Sequence, residues 1–168
     1  MVDLKPIIEG PLFQAYKLLP STLYSPNASV QVLATCGQES GFTDRVQRGG
    51  GPAHGWPQFE LGKPGTGAGV YGVFEYPVAH DWLKEVCAAR HVAFDPISIY
   101  EAIITDDVLA LALARLGYYT NRRPLPLLGQ EDAAWAYYVS TWRPGKPRPK
   151  DWPSNYRAAL VAVQKAAS

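Results

Sequence analysis

The sequence predicts an all-α fold, mainly helical, in one domain that spans residues 1–168. Apolar residues recur at three- and four-residue spacing over most of the chain, which is the period of a helix with one buried face. A length of 168 residues with 47% hydrophobic content is enough to build one core. The alternation of apolar and polar residues that is typical of strands is confined to residues 52–76, where short extended pieces or a small β-hairpin are expected.

Two helical patterns occupy the N-terminal quarter of the chain. The first covers Leu4–Leu19, and Gly10-Pro11 is expected to break it into two turns and a helix, because proline lacks an amide donor. The second is a short apolar helix within Ser29–Phe42. Asn27 or Ser29 can cap its start through a side-chain oxygen.

Later patterns show that helices dominate the second half as well. Pro77 suits the first turn of a helix, Ser98 with Glu101 matches a capping box, and Ser154 suits a helix start. The prolines between Arg143 and Pro149 end the preceding helix, since they deny it amide donors. The predicted helices are Pro77–His91, Ser98–Leu116, Gln130–Trp142 and Ser154–Ala167.

Charge and hydropathy exclude several classes of function. The formal net charge is +1, so the chain lacks the broad basic surface that nucleic acid or an anionic membrane would require. The closest approach to a membrane span, Val108–Leu116, is far shorter than roughly 18 residues and contains Arg115. The N-terminal residues lack the pattern of a signal peptide, so we expect synthesis in the cytoplasm without one.

No cofactor or metal is expected. Cys36 and Cys87 lie in apolar helical patterns and suit buried free thiols, with one disulfide between them as the alternative. The histidines show no metal-ligand spacing, and no signature supports a Cys36–His54 nucleophile pair. Gly67–Gly72 satisfies G-x-G-x-x-G, but no buried strand is predicted before it and no helical period after it, so we interpret it as turns.

Glu39 is the candidate catalytic residue. Cys36 at i−3 and Val32 at i−7 place it on an otherwise apolar helical stripe, and Gly41 suits the end of that helix. Burial and the negative end of the helix dipole both favour its protonated form, so Glu39 is a candidate general acid. The alternative is a helix-end glutamate that turns to solvent.

Glu60 is a candidate second carboxylate. It follows Glu39 by twenty-one residues in an aromatic loop, and two carboxylates on a helix end and a facing loop suit glycoside chemistry. The alternative is that Glu60 is a solvated loop residue.

Asp106 and Asp107 diverge by about 100° on a helix and do not share a site, so we expect one to pair with a base or to cap a turn. Five Trp and ten Tyr on a loop-rich chain also suit a sugar-binding groove.

Three motifs carry a family resemblance. Gln38–Phe42 resembles the Glu-Ser signature of the goose-type-lysozyme-like lytic transglycosylases, and Gly51–Phe59 resembles their Gly-Leu-Met-Gln segment with Gln58 on the glutamine. Ala136–Tyr138 is similar to their Ala-Tyr-Asn segment. With Thr141–Pro147 after the tyrosines, the pattern looks most like small lytic proteins encoded by bacteriophages. Tyr138 replaces the family asparagine and Pro57 its methionine, while Glu60 has no counterpart.

The resemblance implies a lysozyme-like helical domain that cleaves peptidoglycan glycan strands. Glu39 would protonate the oxygen between N-acetylmuramic acid and N-acetylglucosamine, then act as base while the muramoyl 6-hydroxyl closes onto C1. If Glu60 activates a water instead, the outcome is hydrolysis by a lysozyme. The protein would be a phage endolysin or a virion-associated lysin, a monomer or a virion component, made in the host cytoplasm and acting on periplasmic peptidoglycan. A catalytically silent virion structural or wall-binding protein is the alternative from another class.

Supporting roles follow from side-chain chemistry. Ser40 is expected to orient Glu39, and Gln58 and Tyr137 to hydrogen-bond the substrate near the cleaved bond. For each aromatic residue, packing in the core or a loop is the alternative. The remaining candidates, expected as walls of the sugar subsites, are Trp56, Tyr138, Trp142 and Arg143.

Overall fold

A computed structural model describes residues 2–167 and confirms the all-α fold. Helices and turns make up the described part of the chain, which contains no β-strand. A π-helical turn at Ile8–Leu12 and a 3₁₀ turn at Ser21–Leu23 supplement the α-helices. These are α1 (Lys5–Ile7), α2 (Phe13–Leu18), α3 (Pro26–Ser40), α4 (Gly69–Phe74), α5 (Pro77–Ala89), α6 (Pro96–Ala102), α7 (Asp107–Tyr119), α8 (Glu131–Trp142) and α9 (Trp152–Ala166).

The centre of the core is α7, which is buried on every side. All residues from Val108 to Tyr118 are buried, as expected for a helix that is apolar on nearly every side. The exception is Arg115, whose guanidinium donates to the Leu23 carbonyl at 2.8 Å. Helices α2, α3, α4 and α5 pack around it. Helix α3 is also largely buried and packs most extensively against α9. Packing against α7 and α9 therefore fixes the position of α3 up to its C-terminal end.

The cap of α3 differs from the prediction, and its end agrees with it. The Ser25 hydroxyl, not that of Ser29 or the amide of Asn27, accepts a hydrogen bond from the Ala28 amide at 3.1 Å. Ser25 is the residue whose backbone is extended, with φ −159°, so its side chain faces the first turn. Gly41 ends the helix with φ +59°, a left-handed conformation that glycine adopts readily.

The predicted break at Gly10-Pro11 is wrong. The chain stays helical from Lys5 to Leu18, because the π-helical turn widens the helix around Pro11. A π-bulge tolerates a residue without an amide donor, so the proline distorts the helix without ending it.

The predicted helix Ser98–Leu116 is two helices. Asp95, rather than Ser98, caps α6 by accepting from the Ser98 amide at 2.9 Å. Asp106 caps α7 by accepting from the Leu109 amide at 3.0 Å and also pairs with Arg90 at 2.8 Å. The aspartate side chain accepts hydrogen bonds from main-chain amides at the start of a helix. Asp95 and Asp106 each begin a new helix in this way, so the apolar run that periodicity predicts as one helix is divided into two.

Other helix boundaries agree more closely. Pro77 begins α5 and α8 ends at Trp142, both as predicted. Helix α9 begins at Trp152, so Ser154 lies within its first turn and does not cap it.

The segment before α5 has less extended structure than predicted. Only isolated bridges, Val46 with His54 and His54 with Phe59, occur among the described residues in place of a hairpin. Val70 and Val73 are both buried and lie three residues apart on α4, which is helical rather than extended. A helix does begin within Gly67–Gly72, contrary to the prediction, but the described residues before α4 contain no buried strand, so the motif lacks the surroundings of a dinucleotide site.

Both thiols are free and buried, as predicted for Cys36 and Cys87. Burial raises the pKa of both, that of Cys87 to about 11, so both stay protonated near neutral pH. No helix within residues 2–167 has the length and apolar character needed to cross a membrane.

Candidate active site

A cleft of about 1290 Å³ opens at the C-terminal end of α3. Residues 37–41 of that helix end form its floor, and the loop of residues 43–60 forms one side. The glycine-rich segment of residues 62–73 and the chain of residues 138–148 form the other sides. The cleft therefore joins the three sequence motifs with a fourth segment that follows α8.

Glu39 lies on the cleft floor, half-buried. Burial raises the pKa of its carboxyl above the ordinary value, and the negative charge of Glu60 raises it further. The hydrogen bond from Tyr138 and the positive charge of Arg148 oppose that shift, but the pKa stays raised. A carboxyl of this kind can hold a proton closer to neutral pH than a solvated glutamate can, which is the requirement for a general acid.

Tyr138 is the direct partner of this carboxylate. Its hydroxyl donates a hydrogen bond to Oε1 of Glu39. Its ring is buried and stacks on Trp152 with centroids 5.1 Å apart. Burial, and next the nearby charge of Glu39, raise the pKa of Tyr138 far above its ordinary value. Tyr138 therefore remains a neutral donor that holds one oxygen of Glu39 in place.

Arg148 is a cleft residue that the sequence reasoning missed. Its guanidinium donates to the main-chain carbonyl of Gln38, and the Gln38 side chain donates back to the Arg148 carbonyl at 2.9 Å. Asn155 of α9 donates to the Gln38 amide oxygen at 3.0 Å. These bonds join the segment after α8 to the residue before Glu39. The sequence signal was a run of cations between Arg143 and Lys150, which on its own is typical of any solvated surface.

Glu60 lies in the same cleft with its side chain exposed. Its main-chain carbonyl accepts from the Val70 amide at 3.0 Å, which holds the loop against α4. Its charge is close enough to raise the pKa of Glu39. The structure thus brings together the two carboxylates that were singled out in the sequence.

Ser40 does not bond to Glu39. Its buried hydroxyl lies 2.8 Å from the Trp56 carbonyl and 3.1 Å from the Cys36 carbonyl, and it accepts from the Phe42 amide at 3.2 Å. The predicted orienting role is corrected: Ser40 connects the last turn of α3 to the facing loop, and so positions the whole helix end.

Gln58 lines the cleft but turns its amide nitrogen inward. That nitrogen donates to the Gly55 carbonyl at 2.8 Å and to the Asp44 carbonyl at 3.2 Å. The backbone at Gln58 has φ +53°, which is uncommon for a residue with a side chain. Gln58 therefore braces its loop, and a hydrogen bond from its amide nitrogen to substrate, as predicted, would compete with these bonds.

Two predicted substrate contacts are wrong, because Trp56 and Tyr137 do not line the cleft. Trp56 is buried beneath the Arg45 guanidinium, 4.8 Å from its ring, and against Phe42. The Tyr137 hydroxyl donates to the main-chain carbonyl of Tyr118 at 3.0 Å, inside the core. Neighbours on a helix point about 100° apart, so α8 cannot turn both tyrosines toward the cleft.

Trp142 and Arg143, which are predicted as walls of the sugar subsites, both line the cleft. The Trp142 indole donates to the Pro57 carbonyl at 2.8 Å, and its ring packs on Phe59 at 5.2 Å. Arg143 ends α8 with φ +51°, and its guanidinium donates to the Gly67 carbonyl at 3.0 Å. The two residues therefore join the end of α8 to the other walls of the cleft.

Within residues 2–167, no group of three or more His, Cys, Asp or Glu side chains is placed to hold a metal ion.

Comparisons with known proteins leave the family open. A scan against protein-family models finds no match, and searches of curated proteins and of solved structures find no similar protein. The resemblance to the lytic transglycosylases therefore remains a prediction.

Proposed function

We propose that the protein cleaves peptidoglycan glycan strands as a lytic transglycosylase, with Glu39 as the single acid and base. One observation carries the proposal: a half-buried carboxyl with a raised pKa lies in the cleft and receives a hydrogen bond from Tyr138. A raised pKa allows one group to give up a proton and take one back near neutral pH. The cleft of about 1290 Å³ is also large enough for several sugar units.

The chemistry divides into two steps. First, Glu39 gives its proton to the glycosidic oxygen as the bond from that oxygen to C1 of the muramoyl unit breaks. The acetamido group of the substrate stabilises the positive charge that develops at C1. Glu39, now ionised, then takes the proton of the muramoyl 6-hydroxyl as its oxygen bonds to C1. The product is a 1,6-anhydro end, Glu39 is protonated again, and no protein nucleophile is consumed.

Tyr138 serves both steps by holding one oxygen of Glu39. A neutral hydroxyl donor stabilises the carboxylate that exists between the steps without removing the proton needed for the first. The second oxygen of Glu39 is then left to face the substrate.

Hydrolysis is the second candidate, because Glu60 lies in the same cleft. If Glu60 activates a water that attacks C1, the same cleft would act as a muramidase. The two outcomes leave different ends on the glycan product.

The products decide between these reactions. Purified protein is incubated with sacculi, and the muropeptides are examined by mass spectrometry. Anhydro ends, one water lighter than reducing ends, are the expected result, whereas reducing ends would assign the hydrolase. Binding to sacculi without cleavage would assign a wall-binding protein. A Glu39→Gln variant should lose at least about 100-fold in rate, since it cannot transfer the proton.

A further inference from the structure

The wall of the cleft that follows α8 carries positive charge along its length. Residues 143–150 contain four cations and no acidic residue. Three of them line the cleft, and we call these three the cationic wall: Arg143, Lys146 and Arg148. Lys150 belongs to the same segment but lies outside the cleft.

Main-chain contacts hold the cationic wall in place at both ends. Arg143 donates to the Gly67 carbonyl at 3.0 Å, and Arg148 exchanges hydrogen bonds with Gln38 beside the cleft floor. Three prolines within residues 144–149 restrict the backbone between these contacts. The side chains of the wall are therefore presented on a restrained segment, which lowers the entropy lost when they bind a ligand.

Much of this charge is not neutralised by the protein. Arg148 lies 3.3 Å from Asp151, whereas no ion pair among residues 2–167 includes Arg143 or Lys146. The side of the cleft formed by residues 43–60 carries an ion pair between Asp44 and Arg48 at 2.7 Å, which is neutral overall, and the exposed carboxylate of Glu60. The cleft is thus electrostatically asymmetric across the path of a bound strand.

This asymmetry matches the charge distribution of a peptidoglycan strand, and the inference rests on the proposed function. The sugar backbone is neutral, while the peptide stems on the muramoyl lactyl groups carry free carboxylates. We propose that the cationic wall binds the carboxylates of the peptide stems, so that the substrate is a stem-bearing strand oriented with its stems toward residues 143–148. Charges at the rim of a site contribute chiefly to orientation and encounter, so the effect belongs in binding and in KM.

The experiment measures binding of the Glu39→Gln variant to insoluble sacculi by sedimentation, at low and at raised salt. Two insoluble preparations are compared: native sacculi, and sacculi whose carboxylates are capped as neutral amides with carbodiimide and ethanolamine. Strands stripped of stems by an amidase lose their cross-links and are soluble, so they are added as competitors against native sacculi, beside soluble strands that keep their stems. Stripped strands keep only the lactyl carboxylate, so they separate that source of charge from the stem. Binding to native sacculi should be about 10-fold tighter than to capped ones at low salt, and the difference should shrink as salt rises.

A matched pair of variants locates the effect. Lys146→Gln and Lys150→Gln remove the same charge from the same segment, but only Lys146 lines the cleft. Lys146→Gln should weaken binding to native sacculi roughly threefold and leave binding to capped sacculi unchanged. Lys150→Gln should match the parent on both. Replacing both Arg143 and Lys146 with Gln should remove most of the preference for native over capped sacculi.

Two results would overturn the inference: equal binding to native and capped sacculi, or competition by stripped strands as strong as by soluble strands that keep their stems. Cleavage assays keep this outcome distinct from failure of the proposed function. If the protein cleaves sacculi but binds native and capped sacculi equally, only the stem-binding role of the cationic wall is refuted. If it prefers native sacculi but releases no muropeptides, the proposed enzymatic activity is refuted and the cationic wall remains a stem-binding surface.

Discussion

The hydroxyl of Tyr138 donates a hydrogen bond to the carboxylate of Glu39 across 99 residues of sequence. Tyr138 is fixed by its stacking on Trp152, and Glu39 by the last turn of α3. The pair places a polar donor against a carboxyl that burial would otherwise keep protonated over a wider pH range. The protonation of Glu39 therefore depends on named neighbours, and each of them can be varied.

Tyr138→Phe should shift the pH dependence of cleavage toward higher pH. Loss of the donor destabilises the ionised form of Glu39, so the pKa of Glu39 rises. The pH at which the rate falls on the alkaline side of the profile therefore increases as well. We expect kcat to fall roughly tenfold as well, because one oxygen of the acid is no longer held. The measurement is kcat/KM against pH on soluble strands.

Tyr137→Phe is the matched control for that variant. Tyr137 precedes Tyr138 on α8, but its hydroxyl bonds to main-chain carbonyls in the core. Its loss should lower stability by about 1 kcal/mol and leave the pH profile in place. An unshifted profile in Tyr138→Phe, or an equal shift in both variants, would contradict the role given to Tyr138.

Glu39→Gln should stabilise the fold at neutral pH. The folded protein holds the Glu39 pKa above the reference value of 4.5, so the unfolded chain ionises first as pH rises. Stability is therefore lost from about the unfolded pKa upward, and the loss is complete above the folded pKa. Urea unfolding should show a higher midpoint for the variant at pH 7 and equal midpoints near pH 3. Glu60→Gln, at an exposed site, is the control and should change the midpoint little.

Glu60→Gln should move the alkaline limb of cleavage toward lower pH. Its negative charge raises the pKa of Glu39, so removing that charge lets the pKa fall. A transglycosylase would keep its anhydro products and most of its rate at the new optimum. A drop of about 100-fold, with loss of reducing-end products, would instead identify Glu60 as the base of a hydrolase.

Gly55→Ala should destabilise the loop of residues 43–60, which forms one side of the cleft. Gly55 has φ +70°, and a Cβ there would lie 2.7 Å from the Ile103 carbonyl oxygen, which is main chain and cannot turn away. Gly49 shares the left-handed backbone with φ +79° but has open space around it. We expect destabilisation of about 1 kcal/mol at Gly49 and roughly 3 kcal/mol at Gly55, measured by chemical denaturation. Equal losses at both sites would show that the close approach to Ile103 carries no cost.

Local periodicity was enough to predict most helices and the position of Glu39. A stripe through Val32 and Cys36 implies that Glu39 points inward, because side chains three and four residues apart share a face. Glycine at residue 41 implies the end of that helix for an equally local reason, since few other residues adopt a left-handed backbone. The predictions failed where a side chain competed for main-chain donors, as Asp106 does in splitting one apolar run into α6 and α7.

The partners of Glu39 depended on packing between distant segments. Tyr137 and Tyr138 are alike in the sequence, and the seating of α8 against α9 and the core turns only Tyr138 toward the cleft. Arg148 reaches Gln38 because α3 and α9 pack together, bringing residues 110 positions apart into contact. The fold class and the inward position of Glu39 thus follow from short-range periodicity, whereas the neighbours that set its pKa follow from long-range contacts that no local pattern encodes.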